Sequence, residues 1–256
     1  MNWKTFAAML ARDAHVARRN FLSVLAHTLL QPMLFVLIFG RVMTSSGYMN
    51  AEYRSLLLPG IVALIIVLSG IWSVAMPLIA EFQFTREIED RLLAPMEIEW
   101  LAIEKIVAGM VQSLVAGLVV IPIAWLVMGG GANLEQARPL FFLGIALLVS
   151  LFSAGFGLVL GCTVGQTQVG LMFSLVVGPM IFFGCTYYPW SALAGFPILQ
   201  KAVLVNPLVY ASEGLRAALI PQFTHMSARV VVLALVVINA ACIGFGLRQF
   251  RRKAIL

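Results

Sequence analysis

Apolar and polar residues in this chain alternate in long blocks rather than in single steps. Six apolar runs stand out, at about Val24–Met43, Leu56–Ala80, Ile106–Met128, Pro139–Thr163, Val169–Thr186 and Val230–Leu247. A helix needs about 20 consecutive apolar residues to cross the hydrocarbon core of a bilayer, so the runs predict six spans. Ahead of them, residues 1–22 place Trp3, Phe6, Ala7, Leu10, Ala14, Ala17 and Phe21 at helical spacing. Lys4, Arg12, Asp13, Arg18 and Arg19 fill the other positions, the pattern of an amphipathic helix lying in the membrane interface. The fold class expected is an all-α membrane protein of six transmembrane helices, forming a single domain over residues 1–256.

Two stretches break the pattern. The first, 81–105, holds seven of the eleven acids, Glu81, Glu87, Glu89, Asp90, Glu97, Glu99 and Glu104, with Arg86, Arg91 and Lys105. A charge at the bilayer centre costs roughly 2.5–3.5 kcal/mol on insertion scales, so this island between spans two and three is expected in water. The second, 187–229, is too apolar for an ordinary loop, yet Pro189, Pro197, Pro207 and Pro221 cut it into pieces too short to span. Such pieces suit short re-entrant or interfacial helices between spans five and six. Tyr187, Tyr188 and Trp190 read as an aromatic belt. Asn206-Pro207 reads as a helix start, with Glu213 and Arg216 placed to pair at i, i+3. In span four, Gly157, Gly161 and Gly165 repeat every four residues and open a groove for another helix, most simply within the same subunit.

Composition fixes the solvent. Hydrophobic residues make up 61% of the chain and charged residues only 11%, against about 25% charged in soluble domains. The net charge of +6 does not read as a nucleic-acid surface, because eight of the seventeen basic residues sit in the two chain ends. Lys4, Arg12, Arg18 and Arg19 lie at one and Arg248, Arg251, Arg252 and Lys253 at the other. By the positive-inside rule both termini face the cytoplasm, which agrees with an even number of spans.

Candidate chemistry is mostly absent. None of the four lysines follows a glycine, so there is no GxxxxGK[ST] phosphate loop, and any ATP must be bound by another chain. Neither HExxH nor GxSxG occurs, and His15, His27 and His225 are scattered. Cys162, Cys185 and Cys242 fall in or beside apolar runs without CxxC spacing, as buried thiols do. Asp13 and Asp90, the only aspartates, lie outside the spans. No catalytic, metal or cofactor site is expected in this chain. The spans offer few polar points, among them Gln112, Ser113, Ser153, Thr163, Ser174 and Asn239.

Two stretches carry a family likeness. Arg86-Glu87-Ile88-Glu89-Asp90-Arg91-Leu92-Leu93-Ala94-Pro95 is similar to the charged, leucine-rich, proline-terminated segment of the type-2 ABC exporter permeases. Tyr188-Pro189-Trp190, Asn206-Pro207-Leu208-Val209-Tyr210 and Glu213-Gly214-Leu215-Arg216 resemble that family's aromatic-proline, asparagine-proline and terminal-arginine segment. With Leu58-Pro59-Gly60 opening span two, the likeness covers essentially the whole chain. It implies a permease subunit in a bacterial inner membrane, paired with a second permease copy and with a cytoplasmic ABC ATPase that binds ATP and Mg. It implies export of a lipid-like, drug-like or glycan substrate. Arg86, Glu87, Glu89, Asp90, Arg91, Leu92, Leu93 and Pro95 would belong to a coupling helix seated on the ATPase. Asn206, Pro207, Tyr210, Glu213 and Arg216 would shape the exit. An ion-gradient transporter or channel acting alone stays open as the other reading, with a membrane-embedded enzyme behind it.

Overall fold

A computed structural model describes residues 9–13, 15, 19, 30, 32–48, 50, 52–82, 98–128 and 134–255. Among them there are helices and turns and no strand. Four helices are long and apolar enough to cross a membrane: α2 (Glu52–Ala80), α3 (Ile98–Val127), α4 (Pro139–Thr163) and α8 (Ala228–Ile255). Two shorter apolar helices are α1 (Pro32–Ser45) and α5 (Val169–Phe182). Both contain a wider π-helical stretch, Val36–Val42 in α1 and Phe173–Val177 in α5. Between α5 and α8 come a 3-10 turn at Trp190–Gly195, the short α6 (Pro197–Ala202), a second turn at Val203–Val205, and α7 (Pro207–Leu219).

Helix α2 is the axis. Its apolar residues run all round the helix, and such a helix is stable only when it is covered on every side. In its most apolar window 78% of residues are buried within the protein, against 22% in α8. The helices α3, α4 and α7 pack directly on α2, and α8 lies outside on α4. At Gly157 and Gly161 of α4 an added Cβ would approach Gly70, Ile71, Val74, Ala75 and Leu78 of α2 at 2.9–3.2 Å. The small residues therefore serve packing inside one subunit. Gly165 lies in the turn beyond the end of α4, not on that face.

Several predicted boundaries move. Helix α2 begins at Glu52 rather than Leu56, and α8 runs to Ile255 rather than Leu247. Helix α3 begins at Ile98 rather than at Ile106, with Glu99 in its first turn. A glutamate there complements the positive end of the helix dipole, so hydrogen bonding extends past the apolar run. Helix α5 stops at Phe182 rather than Thr186, because the chain turns at Phe183–Cys185 and Cys185 takes φ 52°. It is thus shorter than the length a straight crossing requires.

The described protein has two poles. Residues 9–13, the end of α2, the start of α3 and the end of α8 meet at one, the terminal pole. The segment around α6 and α7 closes the other. There Gly60 of α2 touches the turn after α5 so closely that a Cβ would sit 1.8 Å from the Thr186 carbonyl oxygen. Only glycine permits that approach.

Candidate functional site

Residues 83–97, and with them Arg86, Glu87, Glu89, Asp90, Arg91, Leu92, Leu93 and Pro95, lie outside the described residues. What the structure describes is the frame from which that segment leaves and to which it returns. Its hub is Lys105, in the second turn of α3. The ammonium donates to Glu81 Oε1 at 2.7 Å, at the end of α2, and to Asp13 Oδ2 at 2.8 Å, in the helical residues 9–13. The three side chains are 6%, 9% and 16% exposed, respectively. One buried cation thus ties together three segments that are far apart in sequence.

The end of α8 adds a second grip. Lys253 Nζ lies 4.8 Å from the centre of the Phe82 ring and 3.4 Å from the Gly161 carbonyl of α4. Phe82 also meets Phe250 edge-on, at 5.8 Å between ring centres. On the returning side, Arg251 reaches Glu99 at 3.4 Å, with both side chains largely in solvent. Phe82 and Glu99, one on either flank of 83–97, are therefore both held by the last two turns of α8.

This corrects the expectation that the whole island is surrounded by water. Glu81, Glu104 and Lys105 are buried among the helices. The expectation weighed lipid against water alone. Protein offers a third environment, in which a charge is tolerated when an opposite charge and hydrogen-bond partners are built beside it. Lys105 and Lys253 were legible only as charges. That Lys105 is a hub depends on which helices meet, and no spacing rule connects residue 13 to residue 105.

At the opposite pole the exit candidates lie in or at the start of α7, where Glu213 and Arg216 form a network and Asn206 and Tyr210 make separate bonds. Asn206 caps α7: its Oδ1 accepts from the Leu208 amide at 3.0 Å, while Nδ2 donates to the Met180 carbonyl at 2.8 Å. Pro207, in the first turn, needs no amide partner. The Tyr210 hydroxyl donates to the Leu204 carbonyl at 2.9 Å. Glu213 is the centre. Its Oε1 accepts from Arg216 Nη1 at 2.6 Å and from the Trp190 amide at 2.9 Å, and its Oε2 accepts from the Met226 amide at 2.8 Å.

Arg216 Nη2 goes on to the Cys185 carbonyl at 3.0 Å, so the arginine fixes the residue that carries the left-handed backbone. Glu213 is 1% exposed and Arg216 is fully buried. Helix α7 packs against α2, α4 and α8 rather than standing alone in lipid. The aromatic belt folds partly inward. The Tyr53 hydroxyl donates to the Tyr187 carbonyl at 2.8 Å, and Phe35 of α1 stacks on the Tyr187 ring at 4.7 Å. Burial, and then the neighbouring Tyr53, push the Tyr187 phenol up to about 12.

Of the sparse polar points within the spans, Ser113, Ser153 and Asn239 are buried, while Thr163 and Ser174 are exposed. The Ser153 hydroxyl donates to the Ser150 carbonyl at 2.8 Å and lies 3.5 Å from Ser113 Oγ. Asn239 Nδ2 donates to the Leu148 and Leu235 carbonyls at 3.0 and 2.8 Å. These groups pin helices together. Among the described residues no cluster of three His, Cys, Asp or Glu is placed to hold a metal ion.

Comparison with known proteins gives the family. A family model described as ABC-2 type transporter matches residues 4–220. The inner membrane transport permease YadH of Escherichia coli strain K12 is 22% identical over 218 residues, covering 84% of this chain and 82% of that protein. The permease of the same name from Shigella flexneri aligns with the same identity and coverage. No solved structure matches the chain. Because the family match spans most of an all-helical, apolar chain with the architecture just described, this protein belongs to the ABC-2 type transporter family.

Proposed function

We propose that this chain, an ABC transporter permease by family, is the membrane half of an exporter whose ATP and Mg are bound by a separate cytoplasmic ATPase. A second permease copy completes the pathway. The terminal pole faces the cytoplasm, as the basic residues Arg248, Arg251, Arg252 and Lys253 favour, and the membrane is the bacterial inner membrane, as for the YadH relatives. In this reading α1 and α5 complete six crossings, α5 together with the 3-10 turn before it and the turn after it, the α6–α7 segment dips in from the outside, and 81–105 docks on the ATPase.

The observation that carries the proposal is the Lys105 junction. A push on a segment moves the membrane helices only if its ends are rigidly tied to them. Glu81 precedes the segment and Lys105 follows it, and the 2.7 Å contact between them is buried. Asp13 extends the tie to the N-terminal helical residues and Lys253 to the end of α8, so a tilt of the segment would reach four elements together. The substrate is lipid-like, drug-like or glycan, as the family resemblance implies.

The test is co-purification in mild detergent of the wild type beside Glu87→Lys with Glu89→Lys. An ATPase subunit should elute with the wild type and be lost from the variant, and the thermal midpoint of the variant, measured alongside, should match the wild type. If no ATPase accompanies the wild type in any of several detergents, the proposal fails.

A further inference from the structure

A groove of about 640 Å³ opens on the side of the protein near the α7 pole, between the first turns of α4 and the second turn of α8. Apart from Arg138 at its end, its walls are apolar, among them Leu140, Phe141, Ile145, Leu148 and Val232. Its size falls within the range of about 300–1,000 Å³ typical of ligand sites. Leu140 on its wall is 84% exposed, and Leu233 beside Val232 is 66% exposed, so this is a face that meets acyl chains.

The mouth is cationic. Arg138 is exposed at the start of α4, and Arg229, also exposed, lies three residues before Val232 on the same face of α8. Neither forms an ion pair among the described residues. Between Lys105 and Glu213 the sequence contains a single acid, Glu135, and beyond Glu213 it contains none. An apolar slot in the membrane face, with exposed Arg138 at its end and exposed Arg229 about one turn of α8 from its wall, matches a molecule with a hydrocarbon chain and an anionic head.

We propose that this groove binds an anionic glycerophospholipid from the leaflet at the α7 pole, with an acyl chain along α4 and the phosphate at Arg138 and Arg229. The lipid is a structural ligand, separate from the transported substrate, and the inference rests on the membrane placement of the chain rather than on any ATPase contact. The groove is joined to the exit network behind it. Ile145 on its wall would lie 3.0 Å from a Cβ at Gly214, the neighbour of Glu213, and the Arg138 amide donates to the Ala218 carbonyl at 2.8 Å. Occupancy therefore braces α7, and binding to the folded form alone raises stability by mass action.

The structure supplies a mild way to fill the groove. A Cβ at Gly144 would meet no atom within 4 Å, so the side chain of Gly144→Leu starts in open space on the groove wall. Gly244 on α8 is equally open and lies outside the groove, which makes Gly244→Leu the control. The full-length protein, purified and delipidated in detergent, is titrated with phosphatidylglycerol and separately with phosphatidylcholine and read by native mass spectrometry. The wild type should retain one phosphatidylglycerol in preference to phosphatidylcholine, and its thermal midpoint should rise with the former.

Arg138→Gln should weaken that binding about fivefold, and Arg229→Gln about as much, from loss of one surface cation each. Gly144→Leu should abolish it and Gly244→Leu should leave it intact. Equal retention of both lipids with no effect of the arginine variants would overturn the proposal in favour of ordinary annular lipid. So would a Gly144→Leu protein that keeps its phosphatidylglycerol but loses its dimer mass, which would make the groove a seam between copies.

Discussion

The two poles each bury an ion cluster, and the clusters are built in opposite ways. At the α7 pole, Glu213 and Arg216 are three residues apart on one helix, and their remaining bonds go to backbone atoms of Cys185, Trp190 and Met226. Main-chain partners cannot swing away, so this cluster acts as a rivet holding the turns around α7 in one arrangement. At the terminal pole, Lys105 holds carboxylates from two other segments, 24 and 92 residues away, by side chains alone. Its partners are slightly exposed side chains of separate segments, so the tie holds those segments to one another rather than fixing the turns around one helix. A rivet suits the end that must keep its shape. A side-chain junction suits the end on which an ATPase would push.

The largest effect is expected at the rivet. Arg216→Ala strands the Glu213 carboxylate in a fully buried site and should cost about 3–5 kcal/mol, seen as a large fall in thermal midpoint in detergent. Arg216→Lys should recover only part of it, because a point charge cannot bridge Glu213 and the Cys185 carbonyl as the planar guanidinium does. An Arg216→Ala protein as stable as wild type would remove the rivet from the comparison.

Lys105→Ala should cost less in global stability, on the order of 2–3 kcal/mol, because Asp13 and Glu81 are more exposed than Glu213 and water can reach them more readily. Its signature is local. Limited trypsin digestion at Arg86 or Arg91 should speed up in Lys105→Ala and stay at the wild-type rate in Arg216→Lys. Equal rates in both would mean that Lys105 does not hold the flanks of the segment.

A smaller, pH-dependent effect comes from Tyr187, whose phenol is held up at about 12 chiefly by burial. Between the ordinary tyrosine value of about 10 and the raised one, the unfolded chain has released a proton that the folded chain keeps. Stability should therefore be full below about pH 10 and fall as pH rises toward 12, and Tyr187→Phe should flatten that slope in thermal melts. The smallest effect is expected from Glu99→Gln. Its 3.4 Å contact with Arg251 is largely solvated, so the loss should stay under about 1 kcal/mol. A larger loss would mean that the α8 grip, rather than Lys105, is the main tie.

Much of the fold was legible because the bilayer leaves few choices. An apolar run long enough to span must be helical, and Pro207 after Asn206 opened α7 where that pair predicts. The i, i+3 spacing of Glu213 and Arg216 likewise became a contact, since one helix turn decides it. Less was legible where partners come from elsewhere. Nothing in the local sequence around Lys105 points to Asp13, and nothing around Phe82 points to Lys253. The same gap made the charged island seem wholly aqueous and left the length of α5 to be decided by the turn at Cys185.

By itself, then, the sequence determined an apolar, all-helical chain with a charged interruption and a proline-cut segment, because hydrophobicity and helix periodicity act over a few residues. Tertiary structure alone decided that α2 is the axis, that Lys105 joins three distant segments, and that Glu213 gathers the turns of the opposite pole. The reason is physical. The cost of burying a charge depends on what lies within a few ångströms of it, and in a helical bundle those neighbours come from other helices.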